Sequence, residues 1–126
     1  MSSEFAHKIT DAELEVMKVL WRAGEALSAN SIRDRLQSQC SWDESTIKTL
    51  IARLTTKGVL LKEKRKSYCY TPLISENEYD EWVAGNVVHK IFNGRAKDLL
   101  SALVRTENLT KSDIDELRQM FDEVEE

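Results

Sequence analysis

The stretch Trp42-Asp-Glu-Ser-Thr-Ile-Lys-Thr-Leu-Ile-Ala-Arg-Leu-Thr-Thr-Lys-Gly58 decides how the chain is read. Ile47, Leu50, Ile51 and Leu54 recur at i, i+3, i+4 and i+7, which places four apolar side chains on one stripe of a helix. Asp43 precedes them as an N-cap, with Trp42 and Ile47 at the positions of a hydrophobic staple, and Gly58 stands where a helix ends. The opposite face holds Ser45, Lys48, Thr49 and Ala52, flanked by Thr46 and Arg53, with no acid after Glu44. A helix facing only water usually mixes Glu and Lys in supporting i,i+4 pairs. Small, hydroxylated and cationic side chains without acids suit a helix that enters a DNA major groove.

Upstream, Thr10-Asp-Ala-Glu13 is a capping box with Ile9 and Leu14 as its staple, and Ser28 is a second N-cap with Leu27 and Ile32. These starts predict helices over about 10–23 and 28–38, ahead of the decisive one at 43–57. Leu14, Met17, Leu20, Ile32 and Leu36 offer the apolar positions against which its stripe packs. Downstream, Val59 to Lys64 and Ser67 to Thr71 read as two strands, Tyr68 and Tyr70 alternating with Ser67, Cys69 and Thr71 before Pro72. Their turn carries Lys64, Arg65 and Lys66. Capping boxes at Ser75–Glu78 and Thr110–Asp113 then predict helices over about 75–93, 95–105 and 110–124. The expected fold class is therefore mainly α with a small β-hairpin wing. A winged helix-turn-helix domain over 1–74 is followed by a C-terminal helical dimerisation region over 75–126.

Charge divides along the same line. The chain of 126 residues has a formal net charge of −4, but residues 1–74 hold 12 Lys/Arg against 9 Asp/Glu and residues 75–126 hold 6 against 13. Between 45 and 66 stand Lys48, Arg53, Lys57, Lys62, Lys64, Arg65 and Lys66 against one acid, Glu63. Such asymmetry points to an anionic partner for the first half. Lys48 and Thr49 are expected to read bases, Arg53 to meet bases or phosphate, and Lys64, Arg65 and Lys66 to meet phosphate. Ser28 and Asn30, at the start of the second helix, offer amides and a polar side chain to a phosphate, with plain capping as the alternative role. In the last helix Ile114, Leu117, Phe121 and Val124 follow the 3-4-3 spacing of a narrow apolar seam. Tyr79, Trp82, Val83, Val87 and Ile91 give the fourth helix more apolar surface than a short helix needs. A homodimer is expected from these, since one winged module reads few base pairs; packing within one subunit is the alternative.

Composition narrows the remaining classes. With 41 % hydrophobic residues the chain is globular, no apolar run reaches the length of a membrane span, and the first residues lack a secretory h-region, so a cytoplasmic protein is expected. No phosphate-binding glycine loop, His-Glu-x-x-His spacing or nucleophile–base pattern is present, so neither an enzyme nor a small-molecule substrate or cofactor is expected. Cys40 and Cys69 form no Cys-x-x-Cys pair, and with His7 and His89 they do not have metal-ligand spacing. A metal or redox sensor built on the two thiols is one alternative; a winged module that binds only proteins is another.

Asp11-Ala-Glu-Leu-Glu-Val-Met-Lys-Val-Leu-Trp21, Leu27-Ser-Ala-Asn30, the Trp42–Gly58 stretch, Tyr68-Cys-Tyr70 and Leu109…Ile114-Asp-Glu-Leu117 together resemble the penicillinase-repressor (BlaI/MecI-type) family, from residue 8 to about 122. The resemblance implies a dimeric winged-helix repressor of a palindromic operator, of the kind that controls β-lactam-resistance genes. It implies DNA contacts from Thr46, Lys48, Thr49, Arg53 and the wing around Lys64 to Lys66, with the C-terminal helices forming the dimer. Members of the β-lactam type are inactivated by a cut at an Asn-Phe bond; the aligned bond here is Ala102-Leu103, a departure from that pattern. A related branch senses copper through C-terminal cysteines, and no cysteine follows Cys69 here.

Overall fold

Thr10 starts the first helix as its sequence requires. Its hydroxyl accepts from the Glu13 amide at 3.2 Å, and the Glu13 carboxylate accepts from the Thr10 amide at 3.0 Å. The computed structural model describes residues 9–124. From this cap, α1 runs over Asp11–Ala23, followed by β1 (Leu27–Ser28), α2 (Ala29–Gln37) and α3 (Glu44–Thr56). The wing is β2 (Leu60–Lys64) and β3 (Tyr68–Pro72), and α4 (Glu76–Phe92), α5 (Ala96–Arg105) and α6 (Lys111–Glu123) complete the chain. Each expected helix is present. Ser28 and Asp43 cap α2 and α3, accepting from the amides of Ser31 and Thr46, and reciprocal boxes stand at Ser75/Glu78 and Thr110/Asp113.

The sheet is larger than a hairpin. Its three antiparallel strands have the order β1-β3-β2, with Leu27 opposite Tyr70 and Ser28 opposite Cys69. A two-residue strand carries no local periodicity, so only its pairing partner reveals it. The wing turn holds Arg65, Lys66 and Ser67, because Lys64 pairs with Tyr68.

The described chain forms two compact units, one ending at Val83 and the other beginning at Ala84. In the first, α1, α2 and α3 pack around a core that includes Met17, Leu20, Ile32, Leu36, Ile47, Ile51 and Leu54, closed by Val59, Leu60, Tyr70 and Ile74. The four stripe residues of α3 are all buried in it, each such side chain contributing about 1.5–3 kcal/mol of transfer free energy. The division falls inside α4, beyond the boundary expected at residue 74, because Tyr79 and Trp82 pack against this same core. Tyr79 lies 5.6 Å from the Trp21 ring, and Trp21 donates its indole N–H to the Ile74 carbonyl at 2.9 Å.

Among the described residues one charged side chain is inside. Glu13 is 1 % exposed, which would cost several kcal/mol if its carboxylate were unpaired (~2–7 kcal/mol even for a neutral polar group). Lys57 meets both its oxygens, at 2.6 and 2.8 Å. Burial pushes the Glu13 carboxyl up, but Lys57 and the Thr10 amide outweigh it and hold the carboxyl below its usual range. Lys57 is the C-cap of α3, so the pair fastens the end of α3 to the start of α1. Gly58 follows with φ +83°, a left-handed conformation that glycine adopts without strain, and the Val59 amide reaches back to the Leu54 carbonyl at 2.9 Å. Thus the chain leaves α3 in a fixed direction and enters the wing.

Candidate nucleic-acid interface

The core sets which side of α3 faces out. With Ile47, Leu50, Ile51 and Leu54 inward, Ser45, Thr46, Lys48, Thr49, Ala52 and Arg53 are all exposed on its outer side. Several are held. Asp43 accepts from the Thr46 amide at 2.9 Å and from the Ser45 hydroxyl at 3.2 Å; hydrogen bonds from Thr46 and Ser45 keep its carboxyl below the usual range. The Thr49 hydroxyl donates to the Ser45 carbonyl at 2.9 Å, leaving its oxygen lone pair for an outside donor. Ser28 spends its hydroxyl on the α2 cap, whereas Asn30 is exposed.

A groove of about 350 Å³ runs between α3 and the sheet, lined by Ala29, Lys48, Ile51, Ala52, Thr55, Thr56, Lys62 and Tyr70. It brings the start of α2, the outer side of α3 and the base of the wing to one surface. On the wing, Lys62 and Lys64 alternate along β2 opposite Tyr70 and Tyr68. Both ammonium groups lie over the Tyr68 ring, 4.4 and 4.7 Å from its centre. The half-exposed ring gathers the two cations on one face of the hairpin. Arg65 and Lys66 project from the tip, Arg65 at 3.8 Å from Glu63.

Besides Arg65, two of the seven cations between residues 45 and 66 are held by carboxylates. Lys57 is taken by Glu13. Lys48 is paired with Glu44 at 3.0 Å, and Arg33 from α2 holds the other oxygen of the same carboxylate at 2.6 Å. Hydrogen bonds from Lys48 and then Arg33 keep the Glu44 carboxyl below its usual range. Lys62 and Tyr68 fall within the wing over 62–68 without a role of their own in the sequence, and nothing there gives Glu44 or Arg33 a site role. The Lys62-x-Lys64…Tyr68-x-Tyr70 alternation was the signal for the first two; none marks Arg33, which reaches α3 only through the packing of α2.

The residues expected at a dimer interface fall into two groups. Tyr79 and Trp82 lie half-buried on the winged-helix core, so much of their apolar surface is already covered within one chain. In the second unit no described residue is buried. Val87, Ile114 and Leu117 are half-buried there, and Ile91, Phe121 and Val124 are exposed, Ile91 by 70 %. Ala102 and Leu103 are half-buried inside α5, so the bond between them is helical. Cys40 packs against the core and Cys69 sits on β3, both as free thiols. Among the described residues no three His, Cys, Asp or Glu side chains cluster as metal ligands, and no helix is long and apolar enough to cross a membrane.

Residues 9–123 match the sequence profile of the penicillinase repressor family. The penicillinase repressor of Bacillus licheniformis is 32 % identical over 117 residues, covering 92 % of this chain and 91 % of that protein. The methicillin resistance regulatory protein MecI of Mammaliicoccus sciuri is 34 % identical over 116 residues, covering 91 % and 94 %. Among solved structures, the DNA-binding domain of the repressor BlaI in solution is similar, with TM-score 0.51 and 40 % identity over 56 % of this chain and 87 % of that one. Monomeric BlaI of Bacillus licheniformis in complex with the blaP half-operator matches with the same TM-score, identity and coverage. The winged-helix fold and the match along nearly the whole chain lead to one conclusion: this protein belongs to the penicillinase repressor family of DNA-binding repressors.

Proposed function

We propose that the chain is a homodimeric transcriptional repressor that binds a palindromic operator, with α3 in the major groove and the wing over residues 62–68 on the backbone. The observation that carries this reading is the outer side of α3. It is exposed, free of acids after Glu44, and continuous across the groove with a wing whose Lys62 and Lys64 are gathered on Tyr68. Lys48 and Thr49, at the middle of α3, are the base-reading residues; Arg53, Lys62, Lys64, Arg65 and Lys66 meet phosphate. The blaP half-operator bound by the BlaI relative supports double-stranded DNA as the partner. The names of the relatives support β-lactam-resistance-type genes as the regulated set.

Dimerisation through the second unit rests on its exposed Ile91, Val104, Met120, Phe121 and Val124. Helices that bury none of their residues gain little from their own packing, and a second copy supplies the missing cover. Release of the operator by cleavage at Ala102-Leu103 requires α5 to open first, because a protease needs an extended chain and this bond is helical.

The test is to incubate the purified protein with sheared genomic DNA at physiological salt and sequence what it retains. A few fragments sharing an inverted repeat, with half-sites separated by a whole number of helical turns, are expected. Uniform retention would leave α3 as a basic surface without sequence choice. On the recovered site, Lys48→Ala and Thr49→Ala are each expected to cost about 1–3 kcal/mol, with little effect on random DNA.

A further inference from the structure

A carboxylate stands on the face that is to meet DNA. Glu44 is the first residue of α3, with its side chain half-exposed. One of its oxygens is held by Arg33 at 2.6 Å and the other by Lys48 at 3.0 Å, so the carboxylate is fixed from both sides. This arrangement has three consequences. The negative charge is kept at the end of the recognition helix that approaches the duplex, where it repels phosphate oxygens. It neutralises Lys48, a cation that a phosphate backbone would otherwise attract, and shares Arg33 with Asp34, which lies 3.0 Å from that guanidinium. And it holds the Lys48 ammonium one helical turn along, in one place on the outer side of α3. The helix start gains from a negative charge, but Asp43 already provides the cap, so capping alone does not require a second acid tied to two cations.

We propose that Glu44 is a specificity-determining residue, a charge clamp that suppresses indiscriminate phosphate binding and keeps Lys48 for base edges. The inference rests on the DNA-reading role given to α3 above. Non-specific affinity is set by the number of phosphates neutralised, and each additional contact steepens the dependence on salt. An ammonium already paired with a carboxylate gains little from a phosphate, which only replaces one anion by another. A guanine edge presents neutral acceptors without requiring the pair to break, so the clamp penalises the backbone more than the bases. Discrimination then comes from weakening the wrong complex, and the cations outside the clamp (Arg53, Lys62, Lys64, Arg65 and Lys66) supply the general attraction.

The experiment has two stages. First, the wild-type chain is used to select duplexes from a randomised library, and its affinity for the selected duplex and for a scrambled one is measured across a salt series. If the wild type selects no motif, the DNA-reading role itself fails. Given a motif, Glu44→Gln, which keeps shape and removes charge, is expected to tighten the scrambled duplex by about three- to tenfold. Its log–log salt slope should become more negative by about 0.9 for Lys48, the cation set free, since Arg33 keeps Asp34, and the ratio of selected to scrambled affinity should fall. In a Lys48→Ala background the gain on scrambled DNA should shrink, because the cation that Glu44→Gln sets free is already gone. Damage to the helix would weaken both duplexes, so a gain on scrambled DNA cannot arise from misfolding. If Glu44→Gln leaves scrambled affinity and slope unchanged while the wild type selects a motif, the clamp is wrong and the DNA-reading role stands.

Discussion

The unit ending at Val83 and the unit beginning at Ala84 are built from similar numbers of helices but hold themselves together differently. The first closes α1, α2, α3 and the sheet on a continuous buried core. The second has two strongly amphipathic helices, α5 and α6, and no buried residue among those described, while Ile91, Phe121 and Val124 stay in water. An amphipathic stripe is a demand for cover, and only the first unit meets the demand from within. The orientation of α3, fixed by core packing and by the Glu13–Lys57 pair, is thus a property of one chain. The second unit's stability, under the proposed function, is a property of two.

The largest expected effect would break the comparison if it failed. Leu54→Ala should destabilise the first unit by about 2–5 kcal/mol in urea unfolding, since Leu54 is fully buried on the inner side of α3. Phe121→Ser should leave that transition in place and instead raise the dissociation constant for self-association by about tenfold or more, read by sedimentation equilibrium. Equal loss of unfolding free energy in both variants would mean that the two regions do not differ as described.

A smaller effect sharpens the account of the first unit. Glu13→Gln should cost about 1–3 kcal/mol, less than the ~3–5 of a fully buried pair because Lys57 keeps some exposure. The Glu13 carboxyl is held lower in the folded chain than its ordinary value of 4.5. Its contribution is therefore fully present above that value and is lost as pH falls through the folded value. The gap between wild type and Glu13→Gln should be constant at neutral pH and narrow below about pH 4.5, the ordinary value. A gap that widened on acidification would reverse the sign and refute the pairing.

The smallest effect concerns the wing. Lys64→Ala with Lys66→Ala should change unfolding free energy by less than about 0.5 kcal/mol, because both side chains are exposed. It should weaken selected and scrambled duplexes alike and flatten the salt slope by about 0.9 for each lost contact. A loss confined to the selected duplex would move base reading onto the wing.

Much of this molecule was legible from one dimension because its information is local. Capping boxes at Thr10, Ser75 and Thr110 satisfy amides within three residues of themselves, so the helix starts could be read directly. The spacing of Ile47, Leu50, Ile51 and Leu54 fixes which side of α3 is buried, and by subtraction which side is free to meet DNA. The division of the chain was only partly legible: Tyr79 and Trp82 carry the same apolar signal as Val87 and Ile91, and periodicity does not say which neighbour covers them.

The sequence by itself determined the helices, the hairpin and the outward face of α3, because hydrogen bonds within a turn and a 3.6-residue period are set by near neighbours. Tertiary structure alone decided the rest. It made Leu27–Ser28 a strand by pairing it with β3, buried Glu13 against Lys57, and brought Arg33 onto the carboxylate of Glu44. Each of these joins side chains or backbone far apart in the chain, and a charge or a two-residue strand gives no local sign of the partner that satisfies it.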